Sequence, residues 1–459
     1  MTHLTVVNDI HSRLNRSEVR EIVEVASVED VQEVVRRAGQ AGLPVCIAGG
    51  RHAMGGQQFC AGGILIDTRG LDRVLEYDAD QGRITVEAGI QWPALLAYLR
   101  ETPWAIGQKQ TGADRLSLGG AIAANAHGRG LTMSPLVSDL EELTLVDAAG
   151  ERQRCSRSVN AELFSLVVGG YGLFGVIVSA TLRLAPRRKL ERVVEVRELT
   201  GLAEAFDERI AQGFLYGDFQ FAIDPAMDDF LHRGVFSCYR PVDDSTPIPE
   251  DQKALSREEW ARLLFLTHTD KARAFELYAA HYLETSGQIY LSDAHQFGDY
   301  VDGYHAQLDV AMSAEHRGTE MITEIYVPRA RLADFMADVA ADFRATAVDV
   351  IYGTVRLIER DEESFLAWAR EPWACVIFNL HTVHTPAGLA HSEASFRRLI
   401  GHAIVRGGSY FLTYHRWATT EQLEACYPRF REFLAHKLEH DPEERFQSDW
   451  YRHYRDAFA

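Results

Sequence analysis

Ala48-Gly49-Gly50-Arg51-His52-Ala53-Met54-Gly55-Gly56 is a glycine-rich turn from which the architecture of the first domain can be read. It follows the apolar run Leu43-Pro44-Val45-Cys46-Ile47, which reads as a buried strand. Glycines this dense let backbone N–H groups point into one concave turn and approach an anion closely. His52 sits in the middle of that turn, so the stretch offers a phosphate cradle with a nucleophilic imidazole at its centre. It is not a P-loop, because no Gly-Lys-Ser/Thr ends it. It is not a dinucleotide fingerprint of the Gly-x-Gly-x-x-Gly type either, because Gln57-Gln58-Phe59-Cys60 continues it as loop where that fingerprint needs a helix. The competing reading is a glycine-rich surface turn with an incidental histidine.

Working outward, residues 21–25 read as a strand. Ser27 then caps a helix in which Val28, Val31, Val34, Val35 and Ala38 fall at helical spacing, and Gly39 and Gly42 close it. The result is a β-α-β unit whose glycine loop leaves the carboxyl end of the second strand, where ligands of such sheets bind. Downstream, strands are expected at 63–67, 73–77 and 83–88, then a helix over 92–100. Residues 110–128 follow, a run of Gly and Ala containing Leu116-Ser117-Leu118-Gly119-Gly120 and Asn125-Ala126-His127-Gly128. So little side-chain volume lets a flat ligand lie against backbone, with Ser117 as helix cap; tight helix packing is the alternative. Strands at 139–147 and 151–155, a short helix from Asn160, the break 169–175 and a strand over 176–184 complete this part, and the boundary is placed at residue 188.

The whole chain bounds the function classes. Its 459 residues suffice for two or three domains. A net charge of −19 disfavours nucleic acid and anionic membranes as partners. No apolar run approaches a membrane span, and the N-terminus lacks the pattern of a signal peptide. Six scattered cysteines without a Cys-x-x-Cys pair read as free buried thiols, and a cytoplasmic location is expected.

Residues 190–400 alternate strands (320–327, 348–358, 374–380) with helices. His381, Thr382, Val383 and His384 with His391 give no reason to expect a metal: positions three apart on a strand face opposite sides, and no carboxylate accompanies them. Glu320 and Glu324 share one strand face and either enter a chamber or lie on an edge strand. Residues 359–363, rich in acids, read as a solvated helix start. Residues 1–16 form an arm with no clear pattern.

In their order and spacing, Gly49-Gly50-Arg51-His52, the 116–128 motif and Gly169-Gly170-Tyr171-Gly172-Leu173-Phe174-Gly175-Val176 resemble the vanillyl-alcohol-oxidase/PCMH superfamily of FAD-linked oxidoreductases. The nearest members in flavour are alditol oxidase, gulonolactone oxidase and decaprenylphosphoryl-ribose oxidase. The resemblance implies an α+β fold: a two-subdomain PCMH-type FAD-binding domain (1–188), an α+β cap domain with a mixed or antiparallel sheet flanked by helices (189–405), and a helical segment packing back on the first domain (406–459). It implies that Gly49, Gly50, Arg51, His52, Ala53, Met54, Gly55 and Gly56 hold the FAD pyrophosphate. Gly112, Ser117, Gly119, Gly120, Asn125, His127, Gly128 and Val176 would line the flavin or its ribityl–adenine arm. In several members the histidine at the position of His52 is bonded to the flavin 8α-methyl, which requires a neutral imidazole; a hydrogen bond without the covalent link is the alternative. A glycine at 119 leaves room over the flavin edge and favours oxygen access.

The cap must supply a proton acceptor and specificity. Where alditol-oxidase-like members carry Glu-x-Arg, this chain has Thr354-Val355-Arg356, so the arginine is kept and the carboxylate is not. Arg356 would orient the flavin's polar edge or a substrate oxygen, or else form a salt bridge. Tyr414 or His415 would accept or relay the proton, or else Tyr414 is a core tyrosine and His415 faces solvent. Asn379 could lie on a facing strand. The expectation is an FAD-dependent oxidase of a CH–OH group in a small polar or sugar-like molecule, with O2 as acceptor and hydrogen peroxide as product. The alternatives are a dehydrogenase using another acceptor, or a flavin-binding protein without turnover.

Overall fold

The computed structural model of the chain describes residues 4–294 and 303–459, so the first three residues of the N-terminal arm lie outside it. The glycine turn leaves a three-stranded parallel sheet with Ile64–Asp67 between Glu21–Glu24 and Val45–Ala48. Helix Val28–Ala41 packs on it by the valine stripe read from the sequence, since Val31, Val34, Val35 and Ala38 are its buried residues. Its start is a capping box in which Ser27 and Asp30 satisfy each other's backbone N–H. It ends at Gly42, whose φ of +62° is left-handed. The C-terminus completes this sheet. Phe446 bridges in parallel to Val45, with Val45 N–H donating to the Arg445 carbonyl at 2.6 Å.

A five-stranded antiparallel sheet follows, in the order Arg152–Ser156, Leu140–Val146, Val176–Arg183, Arg83–Glu87, Val74–Asp78. Between its strands lies the short helix Leu118–Ala124, capped by Ser117 through Gly120 N–H. The second half of the chain builds one eight-stranded sheet, in the order Ile289–Leu291, Lys189–Glu198, Arg233–Pro241, Tyr216–Phe221, Val350–Ile358, Trp373–Val383, Gly318–Pro328, Ser409–Tyr410. Every pairing in it is antiparallel. Helices Arg257–Thr269 and Lys271–Glu284 cover one face, and Leu332–Thr346 and Pro386–Ile404 also pack against this part of the chain.

Three local readings are corrected. Residues 359–363 start no helix, because Asp361 is buried and accepts from Asn125 Nδ2 at 2.9 Å and from the Ser364 hydroxyl. The arm is ordered by pairing of Thr5–Val7 with Ser17–Val19, and Asp9 collects the loop between them. Glu320 and Glu324 are not on an edge: their strand lies between two others and both are at most 5% exposed.

Candidate functional site

A cavity of about 680 Å³ opens between the glycine turn, the small-residue helix and one face of the eight-stranded sheet. Period-two alternation makes that face. Ile322 and Glu324 stand opposite Asn379 and Ile377 on the neighbouring strand, Tyr352 and Arg356 come from the next one, and Asp218 and Gln220 from the one beyond.

Of the predicted turn residues, Gly49, Gly50, Arg51, His52 and Ala53 line the cavity. The glycines here serve close approach of two loops: a methyl at Gly49 would lie 2.0 Å from Ser117 Oγ, and one at Gly50 would lie 2.3 Å from the Arg115 carbonyl. Met54, Gly55 and Gly56 do not line it. The Met54 side chain enters the core, Gly55 N–H is bonded to Gln57 Oε1, and Gly56 lies beside Asn15 and Arg416, so the chain has already turned away. Gly112, Ser117, Gly119, Gly120 and His127 are on the wall. Asn125, Gly128 and Val176 are behind it. Asn125 braces Asp361 and Val137 N–H, Gly128 N–H donates to Gln108 Oε1, and Val176 is core, its neighbours Gly175 and Ile177 facing the cavity instead. The absent side chain of Gly119 points at Ala88, 3.1 Å from both its Cβ and its carbonyl, so this glycine answers helix–strand packing and not space over a ligand.

His52 is joined by a residue the sequence did not reveal. His11 Nε2 lies 2.8 Å from His52 Nδ1, and burial, helped by the nearby His305 and Arg13, lowers the His11 pKa to about 4. Imidazoles paired in this way hold one proton between them, one donating and one accepting. The only sequence signal would have been a histidine in an otherwise plain arm.

At the sheet, Glu324 is the centre. Its Oε1 accepts from the Tyr414 hydroxyl at 2.7 Å, and its Oε2 accepts from the Tyr326 hydroxyl and meets His127 Nε2, both at 2.9 Å. His127 Nδ1 faces the Gly128 carbonyl at 2.9 Å, an obligate acceptor, so Nδ1 carries hydrogen and a further proton must lie between Nε2 and Glu324. Burial opposes ionisation of Glu324, yet His127 and the two phenols hold its carboxyl below the usual range. Burial and that carboxylate push the Tyr414 phenol up, which disfavours a phenolate at this position. His415 is off the site. It stacks among Phe396, Tyr410 and Trp417, and burial lowers its pKa to about 3, so it is a neutral core histidine. Arg356 is on the wall, 6% exposed, with no ion pair among the described residues and no acceptor for Nε.

The wall therefore asks for a ligand with an acceptor for a buried guanidinium and a flat body against bare backbone, which suits FAD. Residues 19–156 match the family described as FAD binding domain. The chain is similar there to FAD-binding domains, and relatives that it resembles are named as oxidases, dehydrogenases and oxidoreductases. It is 27% identical over 436 residues to the L-gulono-1,4-lactone dehydrogenase of Mycobacterium tuberculosis, covering 94% of this chain and 95% of that one. It is 31% identical to the L-gulonolactone oxidase of Bos taurus over 40% of this chain and 41% of that one. It is 33% identical to an oxidoreductase of the fasciation locus of Rhodococcoides fascians, where the match spans 36% of this chain and 37% of the relative. Residues 49–53 with Ser117 and Gly120 line the cavity where they could hold the anionic part of FAD, and the buried Arg356 guanidinium could meet a flavin or substrate oxygen. Among the described residues no helix is long and apolar enough to cross a membrane, and all six cysteines are free and buried.

Proposed function

We propose that the chain oxidises a CH–OH group of a small polar or sugar-like molecule, passing electrons through FAD to O2 with release of hydrogen peroxide. Bound FAD supplies the hydride acceptor at N5. The chain supplies the rest: the buried Glu324 carboxylate takes the hydroxyl proton, directly or through Tyr414, while His127 stabilises its charge, and Arg356 and Asn379 bind oxygens. The single observation that carries this is the Glu324 carboxyl in the wall of the cavity, accepting from the Tyr414 and Tyr326 hydroxyls and meeting His127 Nε2. The aromatic far end of the chamber, with Trp260, Tyr278, Tyr282 and Tyr352, suits the C–H face of a sugar ring or lactone. The relatives named for gulonolactone support that substrate class.

The parallel and five-stranded sheets would be the two subdomains of an FAD domain over 1–188, residues 189–405 the cap and 406–459 the segment returning to the first domain; we place the protein in the cytoplasm. A dehydrogenase is the second reading. The relative aligned over 95% of its length bears that name, and the side-chain direction of Gly119, itself on the wall, points at Ala88. Anaerobic mixing with a panel of sugars and lactones should bleach the flavin absorbance, and aerobic turnover should give peroxide. Bleaching without peroxide selects the dehydrogenase, and absence of bleaching removes turnover.

The His11–His52 pair also supports a covalent bond from His52 to the flavin. Flavin fluorescence should then stay with the denatured polypeptide, vanish in His52→Ala, and fall in His11→Ala. Release of all flavin on denaturing the unaltered protein would leave His52 a hydrogen-bonding residue only.

A further inference from the structure

One buried cluster outside the FAD chamber is left without a role. Glu320 and His381 are direct cross-strand partners on neighbouring strands of the eight-stranded sheet. Helix Arg257–Thr269 brings His268 over that pair. His268 Nε2 lies 3.3 Å from Glu320 Oε1, and His381 Nδ1 lies 4.0 Å from the same oxygen. One ligand atom from each residue falls within 4.8 Å of the others. The cluster corrects the reading that no carboxylate accompanies His381: the partner comes from a strand 61 positions earlier in the chain, which spacing along one strand does not show.

None of these three atoms has a hydrogen-bond partner among the described residues, and neither does His268 Nδ1. The side chains of His268 and Glu320 are only 1% and 5% exposed. Buried polar atoms that converge without bonding one another are costly unless something else satisfies them. The His127–Glu324 pair shows the contrast, since there the same atom types are bonded to each other at 2.9 Å. The rest of Glu320 is braced as a ligand would be. Its Oε2 accepts from the Tyr304 hydroxyl and lies 3.0 Å from His305 Nδ1. The ring of His381 lies over Gly318, where a methyl would be 2.2 Å from its Cε1, so a glycine is needed for the ring to reach this position.

We propose that His268, Glu320 and His381 bind one divalent transition-metal ion of the zinc class. Two imidazoles and one carboxylate suit such an ion and not calcium or magnesium, which take oxygen ligands. With bonds of about 2.0–2.1 Å, ligand atoms of a tetrahedral zinc stand about 3.3 Å apart. The His268–Glu320 distance already has that value, and His381 must close by about 0.7 Å on Glu320 and by up to about 1.5 Å on His268. The His381 side chain is 17% exposed, which gives the ion a route in from the surface. The ion is a clip. Trp260, Leu263, Leu264 and Thr267 of the same helix line the chamber, so tying His268 to the sheet fixes the chamber's roof.

The test uses the flavin-loaded protein, stripped with a chelator and titrated with Co2+ and then Zn2+. One Co2+ per chain should bind with ligand-field absorption to the red of the flavin bands, and one Zn2+ should displace it and raise the Tm. His381→Gln and Glu320→Gln should each weaken zinc binding by about 100-fold, and His391→Gln, outside the cluster, should leave it unchanged. X-ray absorption of the zinc-loaded unaltered protein should show nitrogen and oxygen ligands without sulfur, a reading that does not depend on any variant folding. Failure of the stripped protein to bind one ion, zinc affinity unchanged in both cluster variants, or sulfur ligation would each overturn the site.

Discussion

Arg356 and Glu324 are opposite charges buried in one cavity, and they answer to different needs. Arg356 has no ion pair among the described residues, so its charge is left for a ligand. Arg356→Met should lower kcat/KM by about 100-fold or more, the scale of losing one aimed donor in a water-poor site; anaerobic flavin reduction measures it. Glu324 has its neighbours within the protein, and its role is to stay ionised. Glu324→Gln should cost about 10²–10⁴-fold in the rate of flavin reduction, the range for a general base. Tyr414→Phe should cost about tenfold, one hydrogen bond to a charged group. Because the Glu324 carboxyl is held below its ordinary value of 4.5, the rate should stay level as pH falls to that value and drop only below it. A loss already complete at neutral pH would assign the base to another group.

At the scale of elements, the helix Val28–Ala41 and the contact between two loops can be tested separately. Ser27→Ala removes one half of a capping box and should cost about 1 kcal/mol, read by thermal or denaturant unfolding, with flavin content unchanged. Gly49→Ala should do the reverse. Its methyl would collide with Ser117 Oγ, so the turn must part from the small-residue helix, and purified protein should retain less FAD at little change in Tm. The helix was legible because its cap, its valine spacing and its terminal glycine are local signals. The ordered arm was not, because Thr5–Val7 has only three residues and is a strand only by virtue of its pairing with Ser17–Val19.

Over the whole molecule, two buried histidines make folding sensitive to acid. His415 and His11 have pKa values of about 3 and 4 in the folded chain, against 6.5 when exposed. Both are depressed, so the stability they contribute is complete above pH 6.5 and is lost as pH falls toward the folded values, the unfolded chain binding protons that the native one refuses. The Tm should therefore decline between about pH 6.5 and 4, and His415→Phe should flatten that slope. An unchanged slope would place the acid sensitivity elsewhere.

Elements with local signatures were legible in the residues alone: the capped helix, the glycine turn around His52, the small-residue run after Ser117, and through their order the resemblance that residues 19–156 bear to FAD-binding domains. Which of those residues face the cavity follows from the packing of the chain. Met54 and Val176 belong to the motifs but turn into the core, and Asn125 and Gly128 are bonded behind the wall, because motif spacing sets chain position and not the direction in which each residue faces. Packing also decided the companions of the site residues. His11 beside His52, Glu324 between His127 and Tyr414, and Glu320 beneath His268 and opposite His381 are contacts between residues tens to hundreds of positions apart, and pairing of that kind follows from strand register and packing, which no local pattern encodes.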